Sequence, residues 1–192
     1  ELKITETKTP EAKPGWVRIK IMAFGLNHSE ALFRTEEIAD DKFEKPRIPG
    51  IECVGIVDDS SDTDLQNGDK VIALMGGMGR SFDGSYAEYV LVPRHHAFKV
   101  VTDLDWLHLA AVPETYFTAW GSLFECLKLK SHDILLIRGA TSALGYATMQ
   151  LAKALGCKVI GTTHKQEKMH LISDLGCEAI LDIDGHLEDS LH

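Results

Sequence analysis

The residues with the clearest chemical purpose are Arg138-Gly139-Ala140-Thr141-Ser142-Ala143-Leu144-Gly145. They lie between an apolar run of strand length, Asp133 to Ile137, and a helical pattern from Leu144 to Leu155. Small residues at such a turn let the backbone bend tightly and let a ligand approach the main chain. The helix that follows offers unpaired N–H groups and the positive end of its dipole, which suits a pyrophosphate. The dinucleotide string G-x-G-x-x-G reads here as Ala140-x-Ser142-x-x-Gly145, so only its last glycine is kept. Placement between a buried strand and a helix carries the assignment. A tight turn without a ligand, with Ser142 as a helix cap, is the alternative.

In such a unit the residue that separates NAD from NADP lies about 20 positions further on, at the end of the second strand. That place is Thr162-Thr163-His164, which has no carboxylate to grip a ribose diol. Thr163, His164, Lys165 and Lys168 offer hydroxyl and cationic donors suited to a 2′-phosphate. Charge-assisted hydrogen bonds of about 1.5–3 kcal/mol each are enough for a tenfold preference. NADPH is therefore expected over NADH, unless the two lysines are solvated residues of a helix's first turn.

These residues need a scaffold, and the chain changes rhythm to supply it. Up to about residue 100 the rhythm is β. Trp16 to Ile21 alternates apolar and polar, and Gly55–Val57, Lys70–Leu74 and Tyr86–Val92 are further short strands. Lys13-Pro14-Gly15, Asn67-Gly68-Asp69 and Asp83-Gly84 separate them as turns. This half predicts a small barrel or sandwich, with one short helix over Glu30–Glu37. From about residue 105, Leu107 to Leu127 is helical in spacing, broken at Pro113. Strand 133–137, helix 144–155, strand 158–163, helix 165–175 and strand 178–182 follow. That is half of a doubly wound α/β sheet, expected to be buried on both faces. The expected division is 1–105 and 106–192.

Composition limits the function classes. Apolar residues at 44% and charged residues at 26% exclude disorder and coiled coil. A net charge of −9 disfavours nucleic acid and anionic lipid as partners, though a local basic pocket is allowed. The four cysteines, at 53, 126, 157 and 177, contain no C-x-x-C pair. They read as reduced thiols of a cytoplasmic protein. No apolar run reaches the roughly 18 residues of a membrane span. The chain begins without Met and stops inside polar sequence, as part of something longer would.

The residues resemble those of the medium-chain dehydrogenase/reductase superfamily, in its zinc-independent quinone oxidoreductase branch. The resemblance is carried by Pro14–Lys20, Gly25-Leu26-Asn27-His28-Ser29-Glu30, Ile48–Val57, Asn67–Val71, Gly84–Val90, Ala110–Pro113 with Thr118-Ala119-Trp120, and the 138–156 turn and helix. It implies a GroES-like β-barrel catalytic domain followed by a partial Rossmann domain, with the active site in a cleft between them. The family's zinc ligands fall at Asn27, Ile51 and near Glu114, and the first two of these residue types do not hold zinc.

The resemblance also implies that Asn27 and Thr118 lie near the nicotinamide and the acceptor. His28, Glu30 and Tyr116 are candidate proton donors, with a structural hydrogen bond or core packing as the alternative for each. Ser142, Ala143, Leu144 and Gly145 match the diphosphate turn, and Lys168 matches the NADP-clamping lysine. A stacking tyrosine of the family is replaced by Ile183. The implied activity is NADPH-dependent hydride transfer to a small electron acceptor, a quinone or an activated alkene or carbonyl. The implied assembly is a homodimer when full length. The rival readings are a zinc-type alcohol dehydrogenase-like enzyme and a catalytically silent nucleotide-binding regulator.

Overall fold

The structure is a computed structural model that describes residues 2–40 and 45–183. The chain divides into two compact units, Glu1–Glu114 and Thr115–His192. The division falls later than the change of rhythm at 105. The helix Trp106–Ala110 (α2) places Leu109 and Ala110 against Val54, within the first unit.

In the first unit, β1 (Trp16–Ala23) pairs antiparallel with β2 (Glu52–Asp59) on one side and β4 (Tyr89–Pro93) on the other. β3 (Lys70–Leu74) and β5 (Ala97–Lys99) complete a five-stranded sheet of order β4-β1-β2-β3-β5. The period-two pattern of β1 works as expected, because Val17 and Ile19 are fully buried and stand opposite Val92 and Val90. They join Cys53, Val57, Val71, Ala73 and Met78 in one core. β2 is longer than the Gly55–Val57 segment expected of it, and β4 starts at Tyr89 rather than Tyr86. β5 is not legible in the sequence, since so short a strand gives no periodicity to read. Helix α1 (His28–Thr35) starts two residues before the expected Glu30, because the Glu30 carboxylate binds the Asn27 N–H and sets the helix entry there.

The helix α3 (Pro113–Trp120) begins at the end of the first unit and, in the second, runs into a wide helical turn over Gly121–Cys126. The sheet is parallel, of order β6-β7-β8, from β6 (Ile134–Ile137), β7 (Lys158–Thr163) and β8 (Glu178–Leu181). Helix α4 (Ala143–Leu155) connects the first pair, and α5 (Met169–Ser173), preceded by a 3-10 turn at Gln166–Lys168, connects the second. Leu135, Ile137, Val159, Met149, Ala152 and Ile172 form its core. The expectation of a sheet buried on both faces is corrected by Ile134 and Leu136, which are 68% and 38% exposed. α4 and α5 cover only the face that carries Leu135 and Ile137. Among the described residues, no helix is long and apolar enough to cross a membrane.

Candidate functional site

The turn after β6 is tightly built. The Ala140 N–H donates to the Thr162 carbonyl at 2.9 Å, which ties the turn to the end of β7. Ser142 Oγ accepts from the Gly145 N–H at 3.0 Å, an N-cap bond. Gly145 is buried, while Ser142, Ala143 and Leu144 are exposed. The Ala143 and Leu144 N–H groups lie in the first turn, where no carbonyl of their own helix can reach them. They open onto solvent at the positive end of a 13-residue helix. This is a cradle of backbone donors that suits a diphosphate, and the residues present fit a dinucleotide.

The ends of β7 and β8 border that turn through hydrogen bonds. Thr163 is 3% exposed, and its hydroxyl meets Thr141 Oγ1 at 3.2 Å and accepts the Lys165 N–H at 3.3 Å. It therefore shapes the edge from within instead of facing a ligand. His164 and Lys165 are exposed, and Lys168 is half-buried at the end of its 3-10 turn. The His164 Nδ1 is hydrogen-bonded to the Asp182 carbonyl oxygen. Two residues at this edge escape sequence reasoning. The Asp182 carboxylate is buried without a hydrogen bond, and Arg138 Nη2 lies 3.6 Å from it. Each stands just past a strand, where periodicity gives no signal about pairing. Ile183 is exposed.

In the first unit, Asn27 is held at both ends by buried carboxylates. Its N–H donates to Glu30 Oε2 at 2.8 Å, and its side-chain Nδ2 donates to Glu52 Oε1 at 2.8 Å. Glu30 also accepts from the Ile51 N–H at 2.9 Å and from the Tyr86 hydroxyl at 2.7 Å. Three donors on one carboxylate make Glu30 an acceptor, not a proton donor. Glu52 Oε2 accepts the Glu114 N–H at 2.8 Å. Burial pushes the Glu52 carboxyl above the ordinary carboxylate range, and the charges of Glu114 and Glu30 add to this. Burial, with Glu30 beside it, also raises the Tyr86 hydroxyl. Glu52 and Tyr86 escape sequence reasoning because nothing in their spacing announces a pairing with residues 25 and 56 positions away.

His28 opens α1 and is exposed. Tyr116 donates its hydroxyl to the Gln150 side-chain oxygen, and burial raises its pKa. Thr118 is half-buried, and its carbonyl accepts the Ser122 hydroxyl at 2.8 Å. At two of the positions where the family carries zinc ligands, Asn27 is engaged with Glu52 and Ile51 offers only an apolar side chain. The paired His95 and His96 hold their rings 4.2 Å apart on a 3-10 turn.

Residues 13–102 match the alcohol dehydrogenase GroES-like domain. The human quinone oxidoreductase is 28% identical over 178 residues, which cover 92% of this chain and 52% of that protein. A solved NAD-dependent alcohol dehydrogenase superposes with a TM-score of 0.83 at 27% identity, over 92% of this chain and 58% of its own.

Across nearly its whole length the chain is similar to the medium-chain dehydrogenase/reductase superfamily.

Its antiparallel unit is the GroES-like domain and its parallel unit is a partial Rossmann domain, as the resemblance implied. A mycobacterial protein solved with NADPH superposes with a TM-score of 0.78 at 26% identity, over 92% of this chain and 53% of its own. The chain spans about half the length of the curated relatives it matches. Its similarity is to quinone oxidoreductases and alcohol dehydrogenases.

Proposed function

We propose that the protein takes part in NADPH-dependent reduction of a quinone, or of an activated alkene or carbonyl, without a catalytic zinc. The observation that carries this reading is the Ser142-capped turn, whose exposed backbone donors suit a diphosphate. The cofactor supplies the hydride, and the protein binds and orients it. Lys168, His164 and Lys165 lie at the strand edge that would meet a 2′-phosphate, with the Asp182 carboxylate buried behind that edge and Glu167 exposed beside Lys168. Asn27, His28, Thr118 and Tyr116 are proposed around the reacting groups. Because Tyr116 is already bonded to Gln150, its part is to orient, with His28 the freer source of a proton. The full protein is proposed to be a cytoplasmic homodimer acting on a small-molecule acceptor, with neither nucleic acid nor membrane as a partner.

The zinc-dependent alternative requires metal ligands where this chain has Asn27 and Ile51, and this donor set opposes it. Steady-state oxidation of NADPH and NADH against a panel of quinones and enones tests the reading. It expects turnover with NADPH at least tenfold faster than with NADH, unchanged by a zinc chelator. Binding of NADPH without turnover on any acceptor would favour the regulatory reading.

A further inference from the structure

The last residues of β7 include no carboxylate, but the fold brings one to them. The Asp182 N–H donates to the Thr163 carbonyl at 2.9 Å, and His164 gives its Nδ1 proton to the Asp182 carbonyl oxygen. Asp182 therefore stands beside 163–164, where a unit of this kind reads the cofactor's ribose. Its side chain is 1% exposed, and neither oxygen accepts a hydrogen bond. A buried carboxylate without donors is costly unless a cation faces it. Among the described residues that cation is Arg138, whose Nη2 lies 3.6 Å from Oδ2. The His164 Nδ1 proton is spent on the carbonyl and does not reach the carboxylate. Arg138 follows the last residue of β6 and opens the glycine turn, so the pair links the nucleotide turn to the end of β8.

We propose that Arg138 sets the preference for NADPH by cancelling the charge of the buried Asp182. A bare carboxylate behind this edge repels a 2′-phosphate, and burial strengthens the repulsion because little water screens it. With Arg138 beside it, the edge keeps the cationic character of Lys165 and Lys168 and admits the phosphate. Asp182 is too deeply buried to grip a ribose diol, so it acts through its field and not by contact. NADH, which carries no phosphate there, is therefore indifferent to the pair. This assignment rests on the nucleotide-dependent reading above. It adds to that reading a specificity-determining residue outside the strand that is expected to choose the cofactor.

The test is calorimetric titration of NADPH and of NADH into the full chain, as wild type, R138Q, D182N and the double variant, with thermal melts as the folding control. In R138Q the NADPH affinity should fall about tenfold while NADH stays within about twofold, as expected for one uncancelled charge near the phosphate. D182N should bind NADPH at least as tightly as wild type. The double variant should recover NADPH affinity to within about threefold of wild type, because the repelling charge is gone. A double variant as weak as R138Q would show that Arg138 grips the phosphate itself, and would overturn the shielding role. If R138Q does not fold, the double variant decides, since it leaves no buried charge unpaired. If NADPH shifts the amides of 139–145 while R138Q loses both nucleotides alike or neither, the proposal fails and the nucleotide reading stands. If NADPH does not bind wild type, both fail.

Discussion

The Cβ that Gly145 lacks would stand 2.5 Å from the carbonyl oxygen of Gly139. That approach sets the first turn of α4 against the end of β6 and leaves the Ala143 and Leu144 N–H groups facing outward. It is the reason this glycine persists although the earlier two of the fingerprint are Ala140 and Ser142.

Substituting Gly145→Val forces backbone apart, since the next nearest atom is the Ala140 Cα at 2.7 Å. Overpacking of this kind costs about 1–3 kcal/mol. Chemical denaturation should show that loss, and nucleotide binding should fall by more than the stability change explains. Unchanged binding would place the ligand elsewhere.

Ser142→Ala removes the side-chain acceptor of the Gly145 N–H. The expected loss is about 1 kcal/mol in unfolding free energy, and Ser142→Asp should recover most of it. Asp there should also weaken binding of a diphosphate, because its charge occupies the same dipole end. A variant in which stability and binding move together would contradict that separation.

Much of the fold is legible in the residues themselves. The alternation of β1 and the apolar runs of β6 and β7 reveal the sheets, because burial of one or both faces imposes period two or an unbroken apolar run. The Ser142 cap is legible because its chemistry is local. What is not legible is long-range. Glu52 reaches Asn27, Tyr86 reaches Glu30, and Arg138 reaches Asp182 only after the chain folds. The exposure of Ile134 and Leu136 is equally hidden, since an apolar strand reads the same whether one face is covered or two. Thr163 is expected from its position to face a ligand, but as the last residue of β7 its side chain turns inward to Thr141.

Lys168→Ala should lower NADPH affinity about tenfold, the worth of one charge-assisted hydrogen bond, and leave NADH affinity within about twofold. Calorimetric titration of both nucleotides checks this. Equal losses for the two would show that Lys168 supports the 3-10 turn at Gln166–Lys168 and reads no phosphate.

Glu52 gives a pH dependence with a definite sign. Its carboxyl lies above the reference value of 4.5 in the folded chain, chiefly through burial. The folded state therefore holds this proton more tightly than the unfolded state. The stabilisation it contributes is complete below about 4.5 and is lost as pH rises through the higher folded value. The unfolding free energy of wild type minus that of E52Q should fall as pH is raised across that window. A difference that grows with pH would show that the ionised form is the one favoured by folding.

The thiols should divide by burial. Cys53 is buried and its thiol is pushed up to about 12, mainly by loss of solvation. Cys157 and Cys177 are buried as well, and Cys126 is exposed. A thiol reagent at mild alkaline pH should modify Cys126 first and Cys53 only on denaturation, as mass mapping of the labelled peptides will show. Labelling of Cys53 at the rate of Cys126 would mean that the β1–β2 core opens readily.

The most direct measurement is a titration of NADPH into the full chain with the backbone amides of residues 139–145 monitored by NMR. The account predicts saturable shifts centred on Ala143, Leu144 and Gly145, abolished in Gly145→Val and weaker with NADH. Amides in this turn that stay fixed at saturating NADPH would contradict it.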